Sequence, residues 1–480
     1  MRLGILIVAA VTMILSGSRS NAQTLDIFRT RGEVAVTPAE PILHDASCNL
    51  VEGMRPLELA DVIQQAICKS PRARQAWADA RAQAAVLGIA DAAYLPTLNA
   101  IVGIERDTLS TTYDGRSFGR SLERASRNSS SKNGYLDFSW VLLDFGKRSA
   151  ARQQALAMLA AANATHNDTL QTVFFNAARA FYALNGAKAA LDAARHTEGV
   201  ASESYAEASA RHAAGASSLG DELQARTSYR RAVLDRVSAE SDLSDAEGTL
   251  AVAMGLDANA PVLVASEGSD VDNHVDVDVG IDQLIDEAKR RQPKLVAARA
   301  KLEAARANVD AARAQGRPTI SLTGGFSQNH SSYQQQSQSF PVTKRRGGTI
   351  GIQVTIPLFE GFASGYRIAQ AQALADEQES VLHDAELQVS LDVWRSYHSV
   401  HADAANLSNS QNLLADAKRA LEIVRGRYKE GVGAFTEVLN VQAALADAQK
   451  QRILSVSKWQ TSRLKLAETL GKLGFWDAYP

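Results

Sequence analysis

The chain has 480 residues and a formal net charge of −2, so no overall positive field favours nucleic acid as a partner. Aromatic residues make up only 6% of the sequence, and much of its 45% hydrophobic content is alanine, which indicates helices packed closely on small side chains. A chain of this length exceeds what one hydrophobic core usually organises, so two structural units are expected.

The N-terminus has the pattern of a signal peptide. Arg2 precedes an apolar run from Leu3 to Leu15, and the small residues Ser20-Asn21-Ala22 follow it. The run is shorter than the roughly 20 residues that a transmembrane helix needs. We therefore predict a signal peptide over residues 1–22 and an N-terminal extension over residues 23–56 of an exported protein.

The two cysteines, Cys48 and Cys68, lie close together near the start of the exported chain. An even number of neighbouring cysteines in an oxidising compartment favours a disulfide. Two buried free thiols are the alternative. A bridge would attach the N-terminal extension to the first helix.

The sequence is an internal duplication. Residues 62–98 align without a gap on residues 284–320, at an offset of 222, and later blocks align at an offset of 216. The order of elements is the same in both copies: a helix, two strands, and a long helical stretch with one glycine break. The predicted boundaries are a first repeat at 57–261, a linker at 262–280, a second repeat at 281–474 and a tail at 475–480.

Two segments in each repeat alternate apolar and polar residues, which is the pattern of β-strands. Each is predicted to have about 9–11 residues, the length of a tilted strand that crosses a bilayer. The intervening segments, 107–134 and 327–348, are rich in polar residues and are predicted to be long loops, as in outer-membrane proteins. The alternative is a soluble sheet with one buried face. The apolar strand positions are Leu98, Val102, Ile104, Phe138, Trp140, Leu142, Ile320, Leu322, Phe326, Ile350, Ile352, Val354, Ile356 and Leu358.

Four strands are too few to close a barrel by themselves. An open sheet edge cannot face lipid, because its unpaired backbone groups have no partner there. If these strands contact outer-membrane lipid, several copies of the chain must share one barrel.

The rest of each repeat is predicted to be a helical hairpin. No proline occurs from 97 to 260 or from 358 to 479, and a helix over 146–212 would be about 100 Å long. Gly215 in the first repeat, and Gly431 and Gly433 in the second, are predicted to supply positive φ angles for the tight turns at the hairpin tips.

The first helix, over 71–94, carries two adjoining apolar stripes rather than one. Two stripes suit a helix with neighbours on both flanks, as in the wall of a tube, whereas an alanine-rich dimeric coiled coil is the alternative. The first stripe is Trp77, Ala80, Ala84, Leu87 and Tyr94, and the second is Ala78, Ala82, Ala85, Ile89 and Ala92.

The hairpin tips carry a resemblance to a known family. R-Y-K-E-G-V-G-A-F-T-E-V-L-N-V-Q at 427–442 and R-H-A-A-G-A-S-S-L-G-D-E-L-Q-A-R at 211–226 resemble the tips of the TolC outer-membrane factor family. The resemblance implies a mainly α fold with a small β part. Three chains would form a periplasmic α-barrel from long hairpins and a shared twelve-stranded outer-membrane β-barrel, to which each chain contributes four transmembrane strands.

The resemblance also implies a periplasmic gate at the tips, built from Tyr428 and Asp221 beside the turn residues Gly215 and Gly431. Glu437 matches the first acid of a cation-selective ring at the entrance. The alternative role for Tyr428 is packing alone.

Other gate positions differ from the family pattern. Asn440 stands where a second ring acid is expected, and Gly433 and Gly220 stand where the best-known member of the family has a gate arginine and a neighbouring gate threonine. A different lock is therefore expected, using Arg425 or Arg427.

The implied function is a passive exit duct in the outer membrane, with the helical part spanning the periplasm. The partners implied are a periplasmic adaptor and an inner-membrane transporter, with an ABC type favoured. Residues 48–68 and 76–85 are most similar to the branch that serves type I secretion of cyclolysin-like toxins, so a secreted protein such as an RTX-type toxin is the expected cargo. The alternatives are a multidrug efflux channel and a non-conducting trimeric coiled-coil surface protein.

No sequence motif indicates an enzyme. We find no glycine-rich phosphate loop and no Cys/His metal pattern, so no catalytic residue, cofactor or metal is predicted. His398 and His401 have helical i, i+3 spacing, but without a third ligand they are predicted to be solvated surface residues.

Overall fold

The computed structural model describes residues 26–42, 48, 55–113, 123–265, 280–335 and 338–473. The predicted signal peptide, the acidic part of the linker at 266–279 and the end of the chain from 474 lie outside these residues. Among the helices of the described ranges, none has a stretch long and apolar enough to cross a membrane.

Helix boundaries repeat at the two offsets of the sequence alignment. Every boundary of α7 and α8 lies 216 residues after its counterpart in α3 and α4, and those of α5 lie 222 residues after those of α1. A short 3₁₀ helix, Thr30–Glu33, precedes them. The helices are α1 (Leu59–Lys69), α2 (Pro71–Ala92), α3 (Lys147–Ala213), α4 (Leu219–Ala253), α5 (Ile281–Arg291), α6 (Pro293–Gln315), α7 (Ala363–Lys429) and α8 (Phe435–Thr469).

One compact unit comprises residues 83–159 and 301–379, together with the described residues before 32, and it contains an antiparallel sheet in the order β1-β2-β3-β4. The prediction of strands of 9–11 residues is wrong, because these strands have 17 to 21 residues. Most of the predicted loops 107–134 and 327–348 is strand, since backbone pairing continues where both faces of the sheet are polar and the alternation disappears. The strands are β1 (Thr97–Tyr113), β2 (Glu123–Leu143), β3 (Thr319–Gln335) and β4 (Gln338–Thr355).

Two of the predicted strand positions lie outside the sheet, and a third lies at an irregularity within β2. β4 ends at Thr355, so Ile356 and Leu358 lie beyond the sheet, and Pro357 between them has no N–H to continue the ladder. Leu142 lies where the β2–β3 register shifts, so it leaves the regular alternation of β2.

The two strand-to-helix junctions both place consecutive residues in the left-handed region. Phe145 and Gly146 have φ angles of 51° and 103°, and Gly361 and Phe362 have φ angles of 60° and 64°. The order of glycine and phenylalanine is reversed between the repeats. A phenylalanine at positive φ is strained, so each junction retains an aromatic side chain at some cost in stability.

The other unit comprises residues 32–82, 160–300 and 380–480, and its two larger hydrophobic cores lie away from the hairpin tips. In the first, Phe174 and Phe181 of α3 are fully buried with Ile63 and Ile67 of α1. In the second, Trp459 of α8 is the largest buried side chain.

The described residues of the N-terminal extension from Gly32 onward belong to this second unit, where Cys48 and Cys68 form a disulfide. Trp77 Nε1 donates to the carbonyl of Ala35 at 2.8 Å, and Asn163 donates to that of Glu33 at 2.9 Å. The His166 ring lies 2.9 Å from the carbonyl of Pro38 and is almost completely buried. We call residues 33–42 the strap.

Candidate functional site

The turns at the two hairpin tips have the same backbone geometry. Gly215 has a φ of 73° and Gly431 a φ of 76°, which a residue with a side chain adopts only under strain. Gly215 N–H donates to His212 and Ala216 N–H to Arg211, at 2.9 and 2.8 Å, and the second tip repeats the pattern. These paired bonds form a Schellman motif that satisfies the last carbonyls of α3 and α7.

The role predicted for Gly433 is wrong in its mechanism. Its φ is not positive, and a Cβ at this position would lie 3.1 Å from the backbone nitrogen of Tyr428. Close approach to the backbone of the preceding turn is therefore what favours glycine at 433.

Asp221 is engaged within its own hairpin. Its carboxylate accepts from the Ser218 hydroxyl at 2.9 Å, and its N–H donates to the same hydroxyl oxygen at 3.2 Å. This capping box begins α4 and places the negative charge at the positive end of the helix. The corresponding N-cap of α8 is Ala434, which has no side chain to cap the helix.

Tyr428 lies between the two hairpins of one chain. The guanidinium of Arg211 lies 4.8 Å from the Tyr428 ring centroid, and the Phe435 ring lies 5.5 Å from it. Ala208 and Ala225 complete this cluster from α3 and α4. Burial raises the pKa of Tyr428, which the positive charge of Arg211 partly opposes. The phenol is therefore neutral, and its ring connects the second tip to the first.

Of the two arginines proposed for the lock, Arg427 pairs with Glu437 across its own hairpin, with 3.3 Å between nitrogen and oxygen. Glu437, the predicted entrance acid, is thus partly neutralised within the chain. Arg425 is exposed on α7. In the first tip, His212 lies 2.6 Å from Glu222 across the turn.

Arg211 is the tip residue that the sequence prediction missed. It pairs with Glu207 at 2.8 Å while its guanidinium covers Tyr428. The internal repeat contained the signal, because Arg211 aligns with Arg427 at the offset of 216. Further along the hairpins, Gln442 donates to the Ser204 hydroxyl at 3.1 Å, which joins α8 to α3.

His398 and His401 are exposed on α7 and contact the Tyr397 ring, at centroid distances of 5.5 and 4.6 Å. In the described part of the chain, no group of three or more His, Cys, Asp or Glu side chains is placed to hold a metal ion.

Comparison with known proteins identifies two matching blocks that correspond to the two repeats. The model of the family "Outer membrane efflux protein" matches residues 62–256 and 284–472. Protein CyaE of Bordetella pertussis is 32% identical over 423 residues, which cover 87% of this chain and 85% of that protein. Outer membrane protein TolC of Escherichia coli is 23% identical over 437 residues, covering 87% and 83%.

Solved structures show the same fold. The outer membrane protein VceC of Vibrio cholerae superimposes with a TM-score of 0.70 at 21% sequence identity. The match covers 87% of this chain and 96% of VceC.

Proposed function

The chain belongs to the outer membrane efflux protein family, and we propose that it forms the exit duct of a tripartite export machine. Proteins of this family are channels of the outer membrane, and this chain is an outer-membrane efflux or secretion channel. The observation that carries the finer proposal is the open four-stranded sheet, which has two long edge strands and one apolar face.

We propose that three copies of the chain close this sheet. β1 and β4 are the edges, with 17 and 18 residues, and no strand of the described chain pairs with their outer sides. Unpaired backbone groups in lipid cost several kcal/mol each, so each edge needs a partner. Pairing β1 of one copy with β4 of the next gives a closed barrel of twelve strands.

The helices near the sheet support the same closure. Arg152 of α3 pairs with Asp91 of α2 at 2.6 Å, Arg317 after α6 donates to the carbonyl of Phe145 before α3, and Arg306 of α6 lies near Glu379 of α7. These contacts give the order α2-α3-α6-α7, so α2 and α7 are the edges of the layer.

The outer flank of α2 is the second apolar stripe of the sequence. All of its members are exposed in the single chain, and Ile89 is 70% exposed. The corresponding alanines of α6, an inner helix, are buried or half-buried. The stripe on α2 therefore fits a neighbouring copy. Its members are Ala78, Ala82, Ala85, Ile89 and Ala92.

The tips are proposed to be the periplasmic gate. Tyr428 and Arg211 hold the two hairpins of one chain together, and Asp221 and Glu437 place acids beside them. Docking of a periplasmic adaptor and an inner-membrane transporter would separate the hairpins and widen the entrance.

The proposed cargo is a secreted protein, such as an RTX-type toxin, delivered by an ABC transporter. The greater similarity to CyaE than to TolC, 32% against 23% identity, supports this choice. Efflux of small molecules is the second candidate, because the family model is named for efflux.

Deletion of the coding sequence tests the proposal and separates the two cargoes. Loss of a protein from the culture medium, restored by the wild-type chain, supports secretion. Increased drug sensitivity with an unchanged secretome supports efflux instead. Affinity capture from solubilised membranes adds an independent result, since an ABC transporter indicates secretion and a proton-driven pump indicates efflux. If the deletion strain shows neither phenotype and the purified protein shows no conductance in planar bilayers, the duct is refuted.

A further inference from the structure

One face of the sheet carries most of its apolar side chains. The strand registers place Leu98 opposite Phe138, Trp140 opposite Leu322, and Leu322 opposite Ile352. Because side chains alternate along a strand, the second residue before or after each of these lies on the same face. We call it the apolar face. Its large members are Leu98, Val102, Ile104, Leu136, Phe138, Trp140, Ile320, Leu322, Phe326, Ile350, Ile352 and Val354.

Toward the strand ends that are farther from the helices, the apolar face ends in a band of cationic side chains. Lys132 lies opposite Ile104, His330 opposite Lys132, and Lys344 opposite His330, so three basic residues occupy one cross-strand row. Arg346 is two residues from Lys344 on the same strand and the same face. Neighbouring strands are about 4.8 Å apart and each residue rises about 3.3 Å along its strand, so the backbone positions of the four residues lie within about 12 Å of one another. We call Lys132, Lys344 and Arg346 the cationic row, and His330 lies between Lys132 and Lys344.

Acidic residues occupy only the opposite face at this level. Glu105, Asp107 and Asp137 alternate with the positions of the apolar face, so their side chains lie on the opposite face. Among the described side chains of β1 to β4 we find no acid on the apolar face. Arg345, which lies between Lys344 and Arg346 in β4, is on the same face as these acids. None of the cationic row forms an ion pair with a carboxylate in the described part of the chain. Within the described part of the chain, no acid therefore compensates the positive charge on the apolar face.

The border nearer the helices has a different composition. Trp140 is part-exposed and donates to the carbonyl of Tyr94 at 2.9 Å, and Phe145, Phe359 and Phe362 are exposed around the junctions. Aromatic side chains of this kind are typical of membrane interfaces. The apolar face is thus bounded by aromatics on one side and by cations on the other.

The separation of the two borders fits a membrane. From Val354 to Arg346 is eight residues along β4, about 26 Å at the usual rise per residue. With the usual strand tilt this corresponds to about 20 Å along the membrane normal, near the height of the apolar band of outer-membrane barrels. The cationic row then lies at head-group level on the side away from the helices, which is the outer leaflet.

We propose that the cationic row binds the phosphate groups of a lipid in the outer leaflet, whose acyl chains lie along the apolar face below it. Lysine and arginine beside an apolar surface match an amphiphile with a phosphorylated head group, and the lipid A part of lipopolysaccharide has this chemistry. This inference rests on the proposed position in the membrane. It adds a lipid site on the outside of the barrel to the duct through its centre.

The experiment compares two variants of the full-length assembly in detergent. The triple variant Lys132→Gln/Lys344→Gln/Arg346→Gln removes three cations from the apolar face. Arg345→Gln is the control for position, because it removes one cation from β4, between Lys344 and Arg346, on the opposite face. Binding of lipid A with two phosphates is measured by native mass spectrometry, and dephosphorylated lipid A and inorganic phosphate are the comparison probes.

We expect the triple variant to bind lipid A at least about tenfold more weakly, since each basic group at a membrane surface adds substantial affinity. Arg345→Gln is expected to bind like the wild type, dephosphorylated lipid A to bind weakly to all three proteins, and inorganic phosphate not to displace the lipid. Equal binding by the triple variant, an equal loss in Arg345→Gln, or displacement by inorganic phosphate would overturn the inference.

Folding and function are measured on the same samples. Oligomeric mass and bilayer conductance that match the wild type show that the triple variant is intact, so a loss of lipid binding is then specific. Absence of conductance in the wild type would instead count against the proposed duct, which keeps the two failures distinguishable.

Discussion

The guanidinium of Arg211 lies 4.8 Å from the ring centroid of Tyr428, although the two residues end different helices and are 217 positions apart. The contact joins the two hairpins of one chain at their tips. Arg211 thus connects the last turn of α3 to the last turn of α7.

Arg211→Gln is expected to loosen the tips. A cation–π contact of this exposure contributes about 0.5–1 kcal/mol, so its loss should raise the open fraction of the channel about two- to fivefold. Single-channel recording in planar bilayers measures this, and Arg211→Lys should restore part of the wild-type behaviour. Arg425→Gln is the control for charge. An equal increase in Arg425→Gln would show that charge, and not the contact with Tyr428, sets the opening.

The glycines of the second tip should respond in opposite directions to alanine. Gly426 is inside α7, and a Cβ added to it would have no neighbouring atom within 4 Å. Gly426→Ala is therefore expected to raise the free energy of unfolding by about 0.5–1 kcal/mol. Gly433→Ala would bring a methyl group to 3.1 Å from the Tyr428 nitrogen and is expected to lower it. Thermal unfolding monitored by circular dichroism gives both values. A stabilising Gly433→Ala would contradict the close approach assigned to this turn.

Stability of the strap region should fall as the pH is lowered. Burial lowers the pKa of His166 below its ordinary value of 6.5, against the opposing effect of its hydrogen bond to Pro38. Below pH 6.5 the unfolded chain therefore binds a proton that the folded chain does not, and the free energy of unfolding decreases until the pH passes the lowered pKa. Limited proteolysis of residues 33–42 between pH 8 and pH 5 follows this change.

His166→Gln can still donate to the Pro38 carbonyl but does not titrate. Its strap should be cleaved at a rate that changes less with pH than in the wild type. The same acid sensitivity in His166→Gln would assign the effect to another group.

Replacing the phenylalanines at the strand-to-helix junctions by glycine should raise thermal stability and weaken membrane insertion. Phe362 has a φ of 64° and is 76% exposed, so Phe362→Gly relieves strain worth about 1–2 kcal/mol. We expect a higher melting temperature in detergent but less protein recovered in the outer-membrane fraction. Phe145→Gly, at the equivalent junction, should behave in the same way. Unchanged membrane recovery in both variants would show that these rings do not anchor the protein.

Much of the fold could be predicted from the sequence because the duplication provides a second copy of each element, with which its pattern can be compared. The boundaries of α3, α4, α7 and α8 agree with the glycine breaks and the proline-free windows. The full length of the strands could not be predicted, since beyond Ile104 and Phe326 both faces are polar and alternation carries no signal. Backbone pairing, which is independent of side-chain polarity, extends these strands.

The tips were predictable in position but not in their contacts. Positive φ at Gly215 and Gly431 follows from the need to end a helix, which is a local property. Contact between Arg211 and Tyr428 depends on how two hairpins pack, which no local pattern encodes. The close approach at Gly433 is likewise visible only once the turn has its three-dimensional form.

The mass of the detergent-solubilised protein, measured by native mass spectrometry, tests the central claim most directly. The open edges of β1 and β4 require copies of the same chain to complete the sheet. We predict an assembly of three chains that persists when the protein is diluted. A stable monomer with its four strands intact would contradict the shared barrel, and with it the duct and the gate.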